Sequence, residues 1–394
     1  MKIKNISYLL ISILILSFTI YNLLLKTLLS EKLLWSVWSY SEWLINYPER
    51  YFVRRGLLGE FFIFLANGKP LFEIIQSFVF VNFITFIALV SIAFFLYGCK
   101  IRQYCLFLFS AFGFFNLVSY DISYHRKEIF ALNLFLIFLI FNKYDSTKFI
   151  NAFNIFYLFI STLIISLVHE GMTLMLFPFY LVVLKKYETS SNKNKLKFFY
   201  TTFTISLIVI VVINSGTEEI SRLMFSNLHP EDQLILKDYS VDAIRAVGWT
   251  LKRALVLPIR ILLSGNAFYW AFILFLMLCS IYIILFNNKF VEFKNFIVDF
   301  HKSHWYILIS YSMFFIGWDW GRWFVVLFYL YIFTFLNLNF HSGYKYKSNS
   351  SLLLVFIYIS VSLLTIIPEC CLSWTDPKIF NFIEQFTGEI KINY

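Results

Sequence analysis

Charged side chains are scarce in this 394-residue sequence: Asp, Glu, Lys and Arg together make up 14% of it, against about 25% in a soluble domain. Small residues are few. The five cysteines do not make a disulfide framework. Cys99, Cys105 and Cys279 lie in or beside apolar runs, and Cys370 and Cys371 are adjacent, a spacing that rarely pairs. There is no internal repeat, no low-complexity tract and no stretch with the composition of a soluble domain. These absences exclude a soluble, a disordered and a disulfide-stapled protein. What is abundant is apolar: 60% of residues are hydrophobic and 22% aromatic, with 50 Phe. A net charge of +10 in so apolar a chain, carried in short loops, does not mark a nucleic-acid partner.

Eleven apolar stretches are legible, roughly 6–25, 72–97, 104–119, 129–141, 150–168, 172–184, 198–214, 267–286, 305–317, 323–340 and 351–367. At about 20 residues per spanning helix, they predict an all-α polytopic membrane bundle of about eleven transmembrane helices, with residues 1–394 as a single transmembrane domain. The first run follows Lys2 and Lys4 like a signal peptide, but no A-x-A-like cleavage site follows it, so it reads as an uncleaved helix. With the N-terminus inside, the inner segments hold sixteen of the 33 basic and four of the 23 acidic residues. That leaves the inside at +12 and the outside at −2, which predicts an N-in, C-out chain. Only two outer segments are long, 26–71 and 215–266.

The residues that carry chemistry collect on the outer side. In segment 26–71, Trp35, Trp38, Tyr40 and Trp43 read as an interfacial belt or a sugar-stacking platform, with Glu42 among them. The segment continues as YFVRRGLLGE, residues 51–60. Arg54 and Arg55 there run against the positive-inside rule and need an anionic partner. Guanidinium forks match phosphate bidentately, and Gly56 and Gly59 would let a phosphate approach the backbone; ion pairs to Glu49 or Glu60 are the plainer alternative. Asp121, His125 and Glu128 fall at i, i+4 and i+7. If their loop continues the next helix they share one stripe, with Arg126 and Lys127 turned elsewhere. His169, Glu170 and Gly171 form a short turn between apolar runs, where ionisable residues are costly and functional by default. A His-Glu-x-x-His metalloprotease site is excluded, because position 173 is Thr.

Segment 215–266 predicts two amphipathic helices lying in the membrane interface. The first opens with a Ser215–Glu218 capping box. After His229-Pro230 and a polar turn, Ser240 caps the second, with Ile244, Val247, Leu251 and Leu255 on one stripe and Arg245, Lys252 and Arg253 on the polar side. Finally, the run GWDWGR (317–322), followed by Trp323, sets Asp319 and Arg322 among Trp318, Trp320 and Trp323. It reads as an internal i, i+3 ion pair or as a grip on a sugar phosphate.

Clustered arginines point to a phosphate or pyrophosphate, aromatics beside carboxylates to a sugar, and the apolar bundle to a lipid tail. Together they predict glycosyl transfer from a polyprenyl-linked donor at the outer face. His169, Glu170 or Asp319 is the expected base. Arg54, Arg55, Arg126 and Arg322 are expected to hold the leaving phosphate, and Arg245 a lipid phosphate. Glu60, Asp121, His125, Glu128, Trp318 and Trp320 complete the expected substrate site. No metal and no cofactor is expected.

In its architecture, and in the segments YFVRRGLLGE, HEG (169–171) and GWDWGR, the chain resembles the O-antigen polymerases (Wzy type) of surface-polysaccharide gene clusters. The resemblance implies polymerisation of undecaprenyl-pyrophosphate-linked oligosaccharide repeat units, O-antigen or capsule. The reaction would take place at the periplasmic face of the bacterial inner membrane, without a nucleotide sugar, and with a chain-length regulator as partner. One departure is that the residues eleven after Arg245 and Arg260 are Val256 and Ala271, so the Arg-x10-Gly pattern of some polymerases is absent. Three rivals stand beside this reading. A GT-C-type glycosyltransferase would use a polyprenyl-phosphate sugar and a carboxylate of the first outer loop, Glu42 or Glu49. A lipid-linked oligosaccharide flippase should show charges at mid-membrane and repeats or broken helices. A structural membrane protein would leave the one-sided collection of ionisable residues unexplained.

Overall fold

A computed structural model describes residues 3–30, 33, 36–119, 123–143, 148–184, 193–214, 216–237, 243–248, 267–286, 290–316, 320–341, 352–365 and 367. Every regular element among them is helical, as the apolar runs predict. In chain order, α1 (Ile3–Thr27), α2 (Val37–Leu44), α3 (Leu57–Ala66) and α4 (Phe72–Leu96) are followed by the short α5 (Ile101–Leu108) and α6 (Phe114–Ser119). Then come α7 (Lys127–Lys143), α8 (Lys148–Val168), α9 (Glu170–Leu184) and α10 (Lys193–Ile213). Three short helices follow: α11 (Glu218–Ser226), α12 (Pro230–Lys237) and α13 (Ala243–Ala246). α14 (Ala267–Ile281) is continued by a π-helical stretch, Tyr282–Phe286. After α15 (Phe290–Ser303), a 3-10 helix (Trp305–Ser312) leads into α16 (Met313–Ile316), and α17 (Trp320–His341) and α18 (Leu352–Leu364) end the described chain.

Among the described residues, five helical spans, Ile6–Thr27, Phe72–Leu96, Asn194–Ile213, Tyr269–Phe286 and Trp320–Leu338, are long and apolar enough to cross a membrane. Four shorter apolar helices accompany them: Leu57–Ala66, Ala152–Val168, Glu170–Leu184 and Trp305–Phe315. The stretch 104–119, expected as one run, is broken between α5 and α6. Gly113 sits so close to the carbonyl of Leu108 that a Cβ would overlap it.

Ring and amide contacts fix the helix directions. Asn133 of α7 donates to the Asn82 carbonyl and amide oxygen of α4 at 2.9 Å, and the Tyr97 hydroxyl donates to Leu139 O at 2.8 Å, so α4 and α7 run parallel. α17 shares that direction, with Phe86 against Tyr329 and Phe94 against Phe333 (centroids 4.8 and 5.5 Å). α9 does too, with His169 beside Trp323 at one end and Phe179 beside Tyr331 further along. The N-terminal ends of α4, α7, α9 and α17 therefore lie at one end of the bundle. α17 is its centre: 94% of its apolar window is buried, against 17% for α1 and for α10.

That end is covered by the two long segments, which pack on each other. Asp232 of α12 accepts the Tyr40 hydroxyl (2.6 Å) and the Leu71 amide (3.0 Å). The Ala243 amide donates to Ser41 Oγ at 2.7 Å, and the Arg54 amide to Asn214 O at 3.1 Å. The second segment differs from its predicted form. α11 is capped by Thr217, which accepts the Ile220 amide, and begins at Glu218. A helix, Pro230–Lys237, stands where a polar turn was expected, because Pro230 at the first helical position and the acidic Glu231 and Asp232 behind it favour a helix start. Of the second amphipathic helix only Ala243–Ala246 and the turn at Val247–Gly248 are described; Ser215, Ser240, Leu251, Lys252, Arg253 and Leu255 lie outside the described residues.

Candidate functional site

A buried network of ionised side chains sits at the covered end. Burying a charge is expensive unless it is paired, and here each carboxylate faces a cation. Glu42, on the buried helix α2, is 3.1 Å from Arg126 and 3.5 Å from Arg322, and it accepts the Trp38 indole N–H at 3.2 Å. Arg322 also donates to Glu128 at 2.8 Å, and His169 Nε2 is 3.5 Å from the same carboxylate. Glu170 is held by Arg55 through two parallel hydrogen bonds of 2.8 Å, with Arg54 at 3.5 Å. Lys127 donates to the Arg55 carbonyl at 3.0 Å and lies 5.8 Å from the Trp43 ring. Burial pushes the Glu42 carboxyl up, but Arg126 and Arg322 outweigh it and bring it below the ordinary carboxylate range.

The described charges of this network are five cations (Arg54, Arg55, Arg126, Lys127, Arg322) and three carboxylates (Glu42, Glu128, Glu170). They sit where three helices begin: Lys127 and Glu128 open α7, Glu170 opens α9, and Arg322 lies in the first turn of α17. Helix N-termini carry partial positive charge and favour anions. An anion bound here would meet that partial positive charge beside the arginines. Among the described residues, no group of three or more His, Cys, Asp or Glu side chains is placed to hold a metal ion.

The network unites Arg54, Arg55, Arg126, Glu128, His169, Glu170 and Arg322, all expected at the site. It corrects several expectations. Residues 123–126 form a turn with Ser123 at φ +62° and α7 starts at Lys127, so His125 and Glu128 share no helical stripe. The His125 ring turns to the Ser39 hydroxyl at 2.9 Å, while Arg126 and Lys127, expected to point away, enter the network. Neither Glu49 nor Glu60 pairs with the adjacent arginines; Glu170 does. Glu60 is exposed and accepts the Tyr47 amide at 3.2 Å. Gly56 and Gly59 admit the protein itself rather than a phosphate: a Cβ on Gly56 would strike the Tyr47 ring, and on Gly59 the Ile45 carbonyl. Trp320 is buried against Trp270, centroids 5.7 Å apart, a packing role rather than an open platform. Arg245 is exposed on α13. Asp121, Trp318 and Asp319 lie outside the described residues.

The sequence reading turns Lys127 away from the site, sets Trp323 only among the aromatics around Asp319 and Arg322, and brings in Glu42 only through the GT-C alternative. The signal for Glu42 is its place one helical turn after Trp38, whose indole N–H it accepts. The aromatic belt reading hid it. Cys99 and Cys105 are buried free thiols and Cys279 is partly buried, which fits packing. Compared with known protein families, curated proteins and solved structures, the chain matches none of them.

Proposed function

We propose that this protein transfers glycosyl units from a polyprenyl-linked donor at the outer face of a bacterial inner membrane. The specific reaction is polymerisation of undecaprenyl-pyrophosphate-linked repeat units. The observation that carries the reading is the buried network of arginines and carboxylates at the N-termini of α7, α9 and α17, at one end of an apolar bundle. In this reading Arg54, Arg55, Arg126 and Arg322 hold the leaving phosphate and stabilise the charge that develops on it. Glu170 positions the arginine pair, since both its oxygens are engaged by Arg55, and the base is a carboxylate of the network, Glu128 or Glu42. The topology belongs to the same proposal. Eleven crossings, N-in and C-out, use α1, α4, the α5–α6 pair, α7, α8, α9, α10, α14, residues 305–316, α17 and α18. The support is the shared direction of α4, α7, α9 and α17, which are crossings two, four, six and ten of that scheme, and the +12 charge of the inner segments.

Glu42 favours a second reading. It is the carboxylate that the first outer loop brings to the network centre, which suits a GT-C-type transferase that adds one sugar from a polyprenyl phosphate. Deletion of the gene, followed by gel electrophoresis of the surface polysaccharide, separates the two. Loss of the long ladder with a core-plus-one-repeat band remaining supports the polymerase. Loss of the single-repeat band as well supports an earlier transferase, and an unchanged ladder overturns both. Arg54→Ala and Arg322→Ala are expected to abolish ladder formation while the protein still inserts; full activity in both sinks the phosphate-holding role.

A further inference from the structure

Three buried polar side chains meet where α7, α9 and α17 begin, and each keeps an unused hydrogen-bonding atom. No described residue hydrogen-bonds the Nδ1 of His169, the Oε2 of Glu128 or the indole N–H of Trp323, while the His169 Nε2 faces the Glu128 carboxylate. All three residues are 98% buried or more, a setting in which nearly every polar atom is satisfied. They are neighbours: His169 Nε2 lies 3.5 Å from Glu128 Oε1, and the His169 and Trp323 rings stand edge to face at 5.8 Å. The Arg322 guanidinium, 2.8 Å from Glu128, also lies 5.5 Å from the Trp323 ring centre.

The chemistry of the spare atoms is mixed. Glu128 offers an acceptor, Trp323 a donor, and His169 either. A phosphate oxygen accepts only and is repelled by Glu128. A hydrocarbon chain satisfies none of them. A hydroxyl both donates and accepts, and an array of hydroxyls on an apolar ring suits an aromatic wall. We infer that Glu128, His169 and Trp323 form a saccharide-hydroxyl subsite beside the phosphate-holding arginines. This deepens the glycosyl-transfer reading and rests on it. The Arg54–Arg55 turn, held on the Glu170 next to His169, keeps 25% and 26% of its side-chain surface exposed. Arg55 there holds φ +68°, a left-handed conformation that a non-glycine residue rarely adopts.

The test uses the full chain purified in lipid nanodiscs and saturation-transfer NMR with free glucose, galactose, N-acetylglucosamine and rhamnose. Trp323→Phe removes the N–H and keeps an aromatic wall; His169→Gln removes the ring. At least one sugar is expected to be saturated in the wild type, and both variants to weaken that binding about three- to tenfold, the value of one lost hydrogen bond. Thermal unfolding of each variant shows that it is folded, and if one fails the other decides. Saturation unchanged in the folded variants places the sugar elsewhere and overturns the subsite. No saturation with any sugar overturns it too. The gene deletion reports separately: a lost ladder with unaffected variants sinks the subsite alone, and an unchanged ladder with variant-sensitive saturation sinks the transferase reading alone.

Discussion

At the scale of single residues, the network sets the cost of each substitution. Arg322 bridges Glu42 and Glu128 from within the most buried of the five long apolar spans. Removing one partner of a buried pair leaves an uncompensated charge and costs about 3–5 kcal/mol. Glu128→Ala is therefore expected to lower stability by about that much, read from denaturant unfolding of the purified protein, and Glu128→Gln by less, since it keeps an acceptor for Arg322. Arg322→Lys should also inactivate, because one ammonium cannot reach two carboxylates with the geometry of a planar fork; wild-type activity in this variant would count against the bridging role. Much of this was legible beforehand. Arg54, Arg55, His169, Glu170 and Arg322 stand out in sequence because charge is rare around them. Their pairing was not legible. Arg55 meets Glu170 across 115 residues, and no local spacing encodes a contact between two helix ends. The plainer pairings, Arg55 with Glu60 and Asp319 with Arg322, were the ones that proximity in sequence suggests.

At the scale of elements, α2 is the joint between the cover and the site. Four consecutive residues each take a different partner: Ser39 takes His125, Tyr40 takes Asp232, Ser41 takes the Ala243 amide, and Glu42 takes two arginines. Burial pushes the Asp232 carboxyl up, against the hydrogen bonds from Tyr40 and Leu71. A carboxyl raised in the folded state stabilises the fold below its unfolded pKa and loses that contribution as pH rises through the raised value. The contact of α12 with α2 should therefore loosen as pH climbs just above the ordinary carboxylate range. Hydrogen-exchange protection factors for α12 are expected to fall over that interval in the wild type and stay flat in Asp232→Asn; parallel curves would refute the assignment. Gly113→Ala and Gly59→Ala test the backbone joints. Each forces a Cβ into a carbonyl, so each should lower the unfolding temperature, with overpacking typically costing about 1–3 kcal/mol. The helices themselves followed from apolar runs, but the α5–α6 break did not, since it comes from a tertiary approach and not from a proline.

At the scale of the whole molecule, the charge asymmetry of the loops predicts a topology that accessibility can test. Single cysteines placed at 188 and 233, in a background lacking the native five, should label from opposite sides: position 188 only after the membrane is opened, position 233 in intact cells. Labelling of both from one side would overturn the eleven-crossing scheme. The direction of chain synthesis then gives the site a timetable. Glu42 emerges 280 residues before Arg322, which at about 5–20 residues per second is roughly 15–60 s. Until α17 is inserted, the carboxylates of α2 and α7 lack that guanidinium, so the nascent chain carries an incomplete charge network through most of its synthesis. The last long helix completes the site, and a chain cut before Trp320 is left with the acids and without the cation that joins them.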